Sequence, residues 1–72
     1  MSDLDARLLQ AHAQGDIPAL IKLYEEAADA ASDEVAKGFY LTHAYVFALE
    51  SGDAKAGPLR DWLVSMGREV KS

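Results

Sequence analysis

Six positions of the chain recur 37 residues later in the same order: Leu4 and Leu41, Leu8 and Tyr45, Ala11 and Ala48, Gly15 and Gly52, Asp16 and Asp53, Ala19 and Ala56. The pattern is a large apolar residue, a second four on, a small one three later, then Gly-Asp, then Ala. A recurrence at roughly 20–50 residues is the signature of repeat architectures, in which one helical unit cannot bury its apolar face alone and stacks on its neighbour. Such modules work by presenting extended surfaces to other chains.

Four helices and no strand follow from the apolar spacing. The first runs from about Asp3 to Gln14, with Ser2 or Asp3 as its N-cap and Leu4, Leu8, Ala11 and His12 on one face. Gly15 ends it by supplying the left-handed conformation found just past a helix. Asp16 caps the second helix, residues 17–31, whose first turn holds Pro18. Its inner stripe is Leu20, Leu23, Tyr24, Ala27, Ala28 and Ala31, and Lys22 is spaced to pair with Glu26. Ser32 or Asp33 caps a third helix, residues 33–51; a single helix from Asp16 to Ser51 is the competing reading, because no Gly or Pro marks this break. The third helix is apolar nearly all round, from Val35 to Leu49, as expected of a central helix packed on two sides. Gly38 within it suits a close helix crossing. Gly52 and Asp53 turn the chain into a fourth helix, residues 55–66, with Leu59, Trp62, Leu63 and Met66 inward. Pro58 falls either at the end of its first turn or, with Gly57 as cap, at its first position. Gly67 closes it, and residues 68–72 form a frayed tail.

The string from Leu41 to Ala56, Leu-x-x-Ala-Tyr-x-x-Ala-Leu-x-x-Gly-Asp-x-x-Ala, resembles the Sel1-like branch of tetratricopeptide repeats, and Leu4 to Ala19 resembles a weaker copy. The resemblance implies an all-α fold of four antiparallel helices in a short α-α superhelical array. It also implies a protein-interaction role. The family's Gly-containing loop is missing near Ser32, and Pro58 and Arg60 interrupt its last helix. About two repeats are present where roughly three are usually needed for stability, so an apolar face is expected to remain for a second copy or a partner.

Composition narrows the function classes. The 72 residues form one domain with half its residues hydrophobic, two prolines and no cysteine. The missing cysteines exclude disulfides and thiolate chemistry and fit a reducing, cytoplasmic setting. No signal-like segment or membrane span is expected. The formal charge of −5 argues against nucleic acid and anionic membrane partners. Residues 1–53 carry ten acids against three bases, whereas residues 54–72 carry two against four.

No phosphate-binding loop, His-Glu-x-x-His, calcium loop or nucleophile elbow is present, so neither cofactor nor metal is expected. Glu25, Glu26 and Asp29 share a helix face but read as a solvated surface. His43, flanked by Phe39, Tyr40 and Phe47, reads as a half-buried polar contact. Of Tyr24, Tyr40, Tyr45 and Trp62, at least one is expected to reach the surface, because so small a core cannot satisfy all their polar tips.

The expected function is therefore a non-enzymatic interaction or adaptor module. Its partner is another protein or peptide, with a basic segment favoured by the acidic body. Lys22, Tyr24, His43, Arg60 and Trp62 are the candidate partner-binding residues, on a surface lined by helices two and four. The alternatives are a homodimer or small homo-oligomer, pairing the acidic front with the basic tail through Trp62 or Met66, and an accessory metal-assisted activity around His43.

Overall fold

Both Gly-Asp pairs make the same corner. In the computed structural model, which describes residues 3–67, Gly15 and Gly52 have φ of 65° and 69°. At the first corner the Asp16 N–H donates to the Ala11 carbonyl at 3.1 Å and the Gly15 N–H to that of His12 at 3.2 Å. At the second, Asp53 donates to Ala48 at 2.8 Å and Gly52 to Leu49 at 3.3 Å. These are the paired bonds of a Schellman motif, repeated 37 residues apart, and they satisfy carbonyls that a helix end would otherwise leave open. The residue one turn before each glycine is Ala11 or Ala48, and both are buried.

The described residues form four helices, α1 (Asp3–Gln14), α2 (Ile17–Ala30), α3 (Glu34–Ser51) and α4 (Ala56–Ser65), with no strand among them. The fold is all-α, as the sequence indicates. α2 begins directly after its corner, with the Asp16 side chain accepting from the Ala19 N–H and Pro18 in the first turn. The second corner departs from the first. There the Asp53 side chain accepts from the Lys55 N–H at 2.8 Å and its carbonyl from the Ala56 N–H at 3.1 Å. This extra tight turn delays α4 to Ala56, and Lys55 supplies no side-chain cap. Pro58 is thus the third helical residue, neither the first nor the end of a longer first turn. Its missing N–H still costs nothing there, because the first four N–H groups of a helix have no intrahelical acceptor.

α2 and α3 are separate helices. Ala31 is extended (φ −68°, ψ 134°), Asp33 is extended (φ −125°, ψ 157°), and the Asp33 carboxylate accepts from the Ala36 N–H at 2.8 Å. An aspartate cap stops one helix and starts the next without any glycine. Helix α2 accordingly stops one residue short of the expected end, and α3 begins after its cap. Gly67, at φ 80°, follows α4 as expected; Ser2 and the tail 68–72 lie outside the described residues.

Only helices adjacent in sequence bring their backbones together among the described residues, and the molecule measures 30 × 29 × 13 Å. α3 is the central element, with α2 and α4 both packed on it. The main core gathers Ile21 and Ala28 of α2, Leu41, Ala44, Tyr45 and Ala48 of α3, and Leu59 and Leu63 of α4. Each such Leu or Ile contributes about 1.5–3 kcal/mol by leaving water. A smaller core of Ala11, Leu20 and Leu23 joins α1 to α2, with Leu4 and Leu8 packed against it. Gly38 is buried on α3.

Surface ions stitch neighbours together. Arg7 bridges Asp3 at 3.0 Å and Glu26 at 3.1 Å, while Lys55 reaches Glu25 at 3.1 Å. Glu26 is therefore held by Arg7 of α1 and not by Lys22. Two acids of the candidate acidic face are engaged by cations from other elements.

The corners define a contrast in stability. An added Cβ meets nothing within 4 Å at Gly15, Gly52 or Gly57, but only Gly15 and Gly52 have positive φ. Gly15→Ala and Gly52→Ala should each lose about 1–2 kcal/mol in urea unfolding, from backbone strain alone. Gly57→Ala carries no left-handed strain and should lose less than either, because the crowding of a new Cβ against the Pro58 ring is offset by a restricted unfolded chain. Equal effects at all three sites would contradict the shared-corner geometry.

Candidate functional site

Tyr24 is the hub of the most concentrated side-chain chemistry in the fold. It projects from the inner face of α2 between α1 and α3. Its ring stacks with His43 at 5.2 Å and with Phe47 at 5.9 Å between centroids, and it lies 6.3 Å from Tyr40. Its hydroxyl shares a 3.0 Å hydrogen bond with His12 Nε2 of α1. The His12 ring closes the circuit edge-on to both Tyr24 and Phe47. Helix spacing builds this arrangement: Tyr40, His43 and Phe47 lie three and four apart on α3 and so face one side.

The histidines have distinct roles. His43 Nδ1 donates to the Phe39 carbonyl one turn back at 2.9 Å, and the Phe39 ring lies 4.3 Å away. That bond fixes the ring, and Nε2 makes no hydrogen bond among the described residues. Burial, then the neighbouring Tyr40, raise the Tyr24 hydroxyl above its ordinary value. Among the described residues no three His, Asp or Glu side chains come together as a metal-binding group.

A shallow depression of about 170 Å³ lies beside this cluster, lined by Thr42, His43, Val46 and Phe47. It opens onto a strip of α3 that neither α2 nor α4 covers. Along that strip Val35 is 74% exposed, Phe39 56%, Val46 45% and Leu49 54%. With Thr42 they fall within roughly 80° of arc at 3.6 residues per turn. The spacing of four, three, four and three is that of a helix-pairing seam. Leu9 of α1, 37 residues before Val46, is also exposed.

Of the five candidate residues, the structure brings Tyr24 and His43 together. Tyr24 faces α1 and α3, away from the expected α2–α4 surface. Lys22 and Arg60 are exposed, on different helices, and neither makes an ion pair among the described residues. Trp62 is half-buried against the main core. Tyr24, Tyr40 and Trp62 are all partly exposed while Tyr45 is buried, as the small core requires. Sequence reasoning missed the α3 strip as a site, because its apolar residues looked like core. The signal was present in the continuous apolar circumference of residues 35–49, more than two neighbours can cover.

The Tyr24 hydroxyl gives a pH-dependent test. Its folded value lies above its unfolded value near ~10, so its contribution to stability is whole below that pH and is lost as pH rises through the folded value. Tyr24→Phe should cost about 0.5–1.5 kcal/mol at neutral pH through the lost bond to His12. The gap between the two proteins should narrow above about pH 10, where only the wild type carries the ionising hydroxyl. A gap that stays constant from neutral to alkaline pH, read by urea unfolding, would show that this hydroxyl is not linked to folding.

No protein-family model matches the chain, and no curated protein and no solved structure matches it either.

Proposed function

We propose that the chain is a non-enzymatic protein-interaction module, a short Sel1-like helical array whose binding surface is the exposed strip of α3 with the depression beside the Tyr24 cluster. The observation that carries this reading is the uncovered strip of Val35, Phe39, Val46 and Leu49 beside an apolar depression. Contiguous exposed apolar surface on a small protein is characteristic of interaction sites. Helix-in-groove recognition uses anchors at this i, i+3, i+4, i+7 spacing. The twice-used corner, Gly15-Asp16 and Gly52-Asp53, supports the helical-repeat assignment.

The polar neighbours are arranged for such a role. Thr42 Oγ1 donates to the Gly38 carbonyl at 2.7 Å and His43 Nδ1 to the Phe39 carbonyl. Their donors are satisfied within the helix, so covering the strip strands neither donor, and His43 Nε2 is left as a ring acceptor for a partner's donor. The partner is another protein or peptide. A cytoplasmic setting belongs to the same proposal and is supported by the cysteine-free composition. Among the described residues no helix is long and apolar enough to cross a membrane.

The test is retention of partner chains from a native cell extract by the immobilised protein, read by mass spectrometry. Chains held by the wild type should also be held by a Lys22→Ala, Arg60→Ala double variant and be lost from Val46→Asp. Loss from the double variant with retention by Val46→Asp would move the site to the α2–α4 side. An identical retained set for all three would reject the α3 strip as the binding surface.

A further inference from the structure

We propose that the occupant of the α3 strip is a second copy of this chain, paired antiparallel across a two-fold axis near Thr42. The inference rests on the interaction reading above and names the partner of that surface.

Two observations select a second copy over a foreign segment, and the available area sets how tightly it is held. The strip is nearly symmetric about Thr42: Val35 and Leu49 lie seven residues to either side, with Phe39 three before and Val46 four after. A two-fold contact requires this self-complementarity, because residue i meets j and j meets i. In the antiparallel register Val35 faces Leu49 of the other copy. Phe39, the largest side chain of the strip, faces the depression lined by Thr42, His43, Val46 and Phe47. That depression, about 170 Å³, is shallow and open on one side, so it can seat the edge of the ring without enclosing it.

The second observation is charge. Residues 38–49 contain no Asp, Glu, Lys or Arg. Glu34 and Glu50 stand only at the two ends of the strip, so a basic peptide would find no acid along the central seam, whereas another copy brings an equally uncharged centre with no ion to desolvate there. The net charge of −5, with Glu34 of one copy brought to the same end as Glu50 of the other, opposes association and is weakened by salt.

Area sets the strength. The four exposed side chains present on the order of 400 Å² per chain, and two copies would remove roughly 800–1,000 Å², at the small end of protein interfaces. The pair is therefore weak and concentration-dependent, consistent with an open strip in the single chain.

Sedimentation equilibrium of the purified full chain, between about 10 µM and 1 mM, tests the proposal. The wild type should approach twice the chain mass of 7.8 kDa, and added salt should strengthen the association by screening the net charge. Phe39→Asp, an exposed position, should weaken the pair by at least about tenfold while helical circular dichroism is unchanged. The chain has no cysteine of its own, so orientation can be read by oxidative cross-linking. Thr42→Cys should link to itself. Val35→Cys should link to Leu49→Cys in a mixture but not to itself.

A chain that stays monomeric throughout overturns the second-copy proposal, yet leaves the interaction reading standing if extract partners are still lost from Val46→Asp. A dimer that salt dissolves, or that Phe39→Asp leaves intact, overturns it by locating self-association on the charged ends or another face. Self-linked Leu49→Cys overturns the antiparallel arrangement.

Discussion

A glycine held in the left-handed conformation, with two N–H groups closed back onto the last turn, sets the direction in which each odd-numbered helix hands over to the next. Because the bonds at Gly15-Asp16 and Gly52-Asp53 are the same, the chain leaves α1 as it leaves α3, and the two paths part only at the extra turn after Asp53 that delays α4. The alanine one turn earlier is buried at both corners, so the following helix can approach closely. The handover between α2 and α3 uses different chemistry, an aspartate cap after extended residues. Two kinds of connection thus alternate along the chain. Their outcome is an open layer in which α3 is flanked by α2 and α4 and bare on a third side.

That geometry puts Tyr24 where it can do two jobs. Its ring fills the space between α1 and α3, and its hydroxyl reaches His12 at the surface end. The aromatic contacts with His43 and Phe47 add order beyond simple burial, at about 0.5–1.5 kcal/mol per well-placed ring pair. Among the described residues no buried side-chain polar atom lacks a partner. The ion pairs Arg7–Glu26 and Lys55–Glu25 act at the periphery of the same contacts. They are exposed and worth at most about 1 kcal/mol each, so they orient more than they stabilise.

Much of the fold was legible because its signals are local. Gly-Asp corners, Pro18 in a first turn and the Asp33 cap are each decided by a few residues, and helix bounds follow from them within a residue or two. What escaped was tertiary. The delay of α4 depends on whether the Asp53 carboxylate reaches Lys55 or a residue further on, which spacing alone does not determine. Lys22 was matched to Glu26 on local spacing, yet Arg7 of the neighbouring helix holds that acid. The candidate site was half legible for the same reason. Tyr24 and His43 stood out as amphipathic rings, but their meeting requires α2 and α3 to pack at a particular rotation. Lys22 and Arg60 were chosen by residue type, and packing scatters them.

The physics of folding does not account for the residues on the bare side of α3. Val35, Phe39, Val46 and Leu49 belong to neither core cluster. A charge or an amide at any of them would leave the buried set of Ile21, Leu41, Leu59 and Leu63 untouched and would make the surface more soluble. Helix propensity offers no reason either, since valine and phenylalanine are weaker helix formers than the lysine or glutamate that could replace them. Single exposed apolar residues need no explanation, but four in one seam, with the adjacent Thr42 hydroxyl and His43 Nδ1 turned back onto their own helix, form a surface that water gains nothing by wetting. A selective reason for that seam must come from something that covers it.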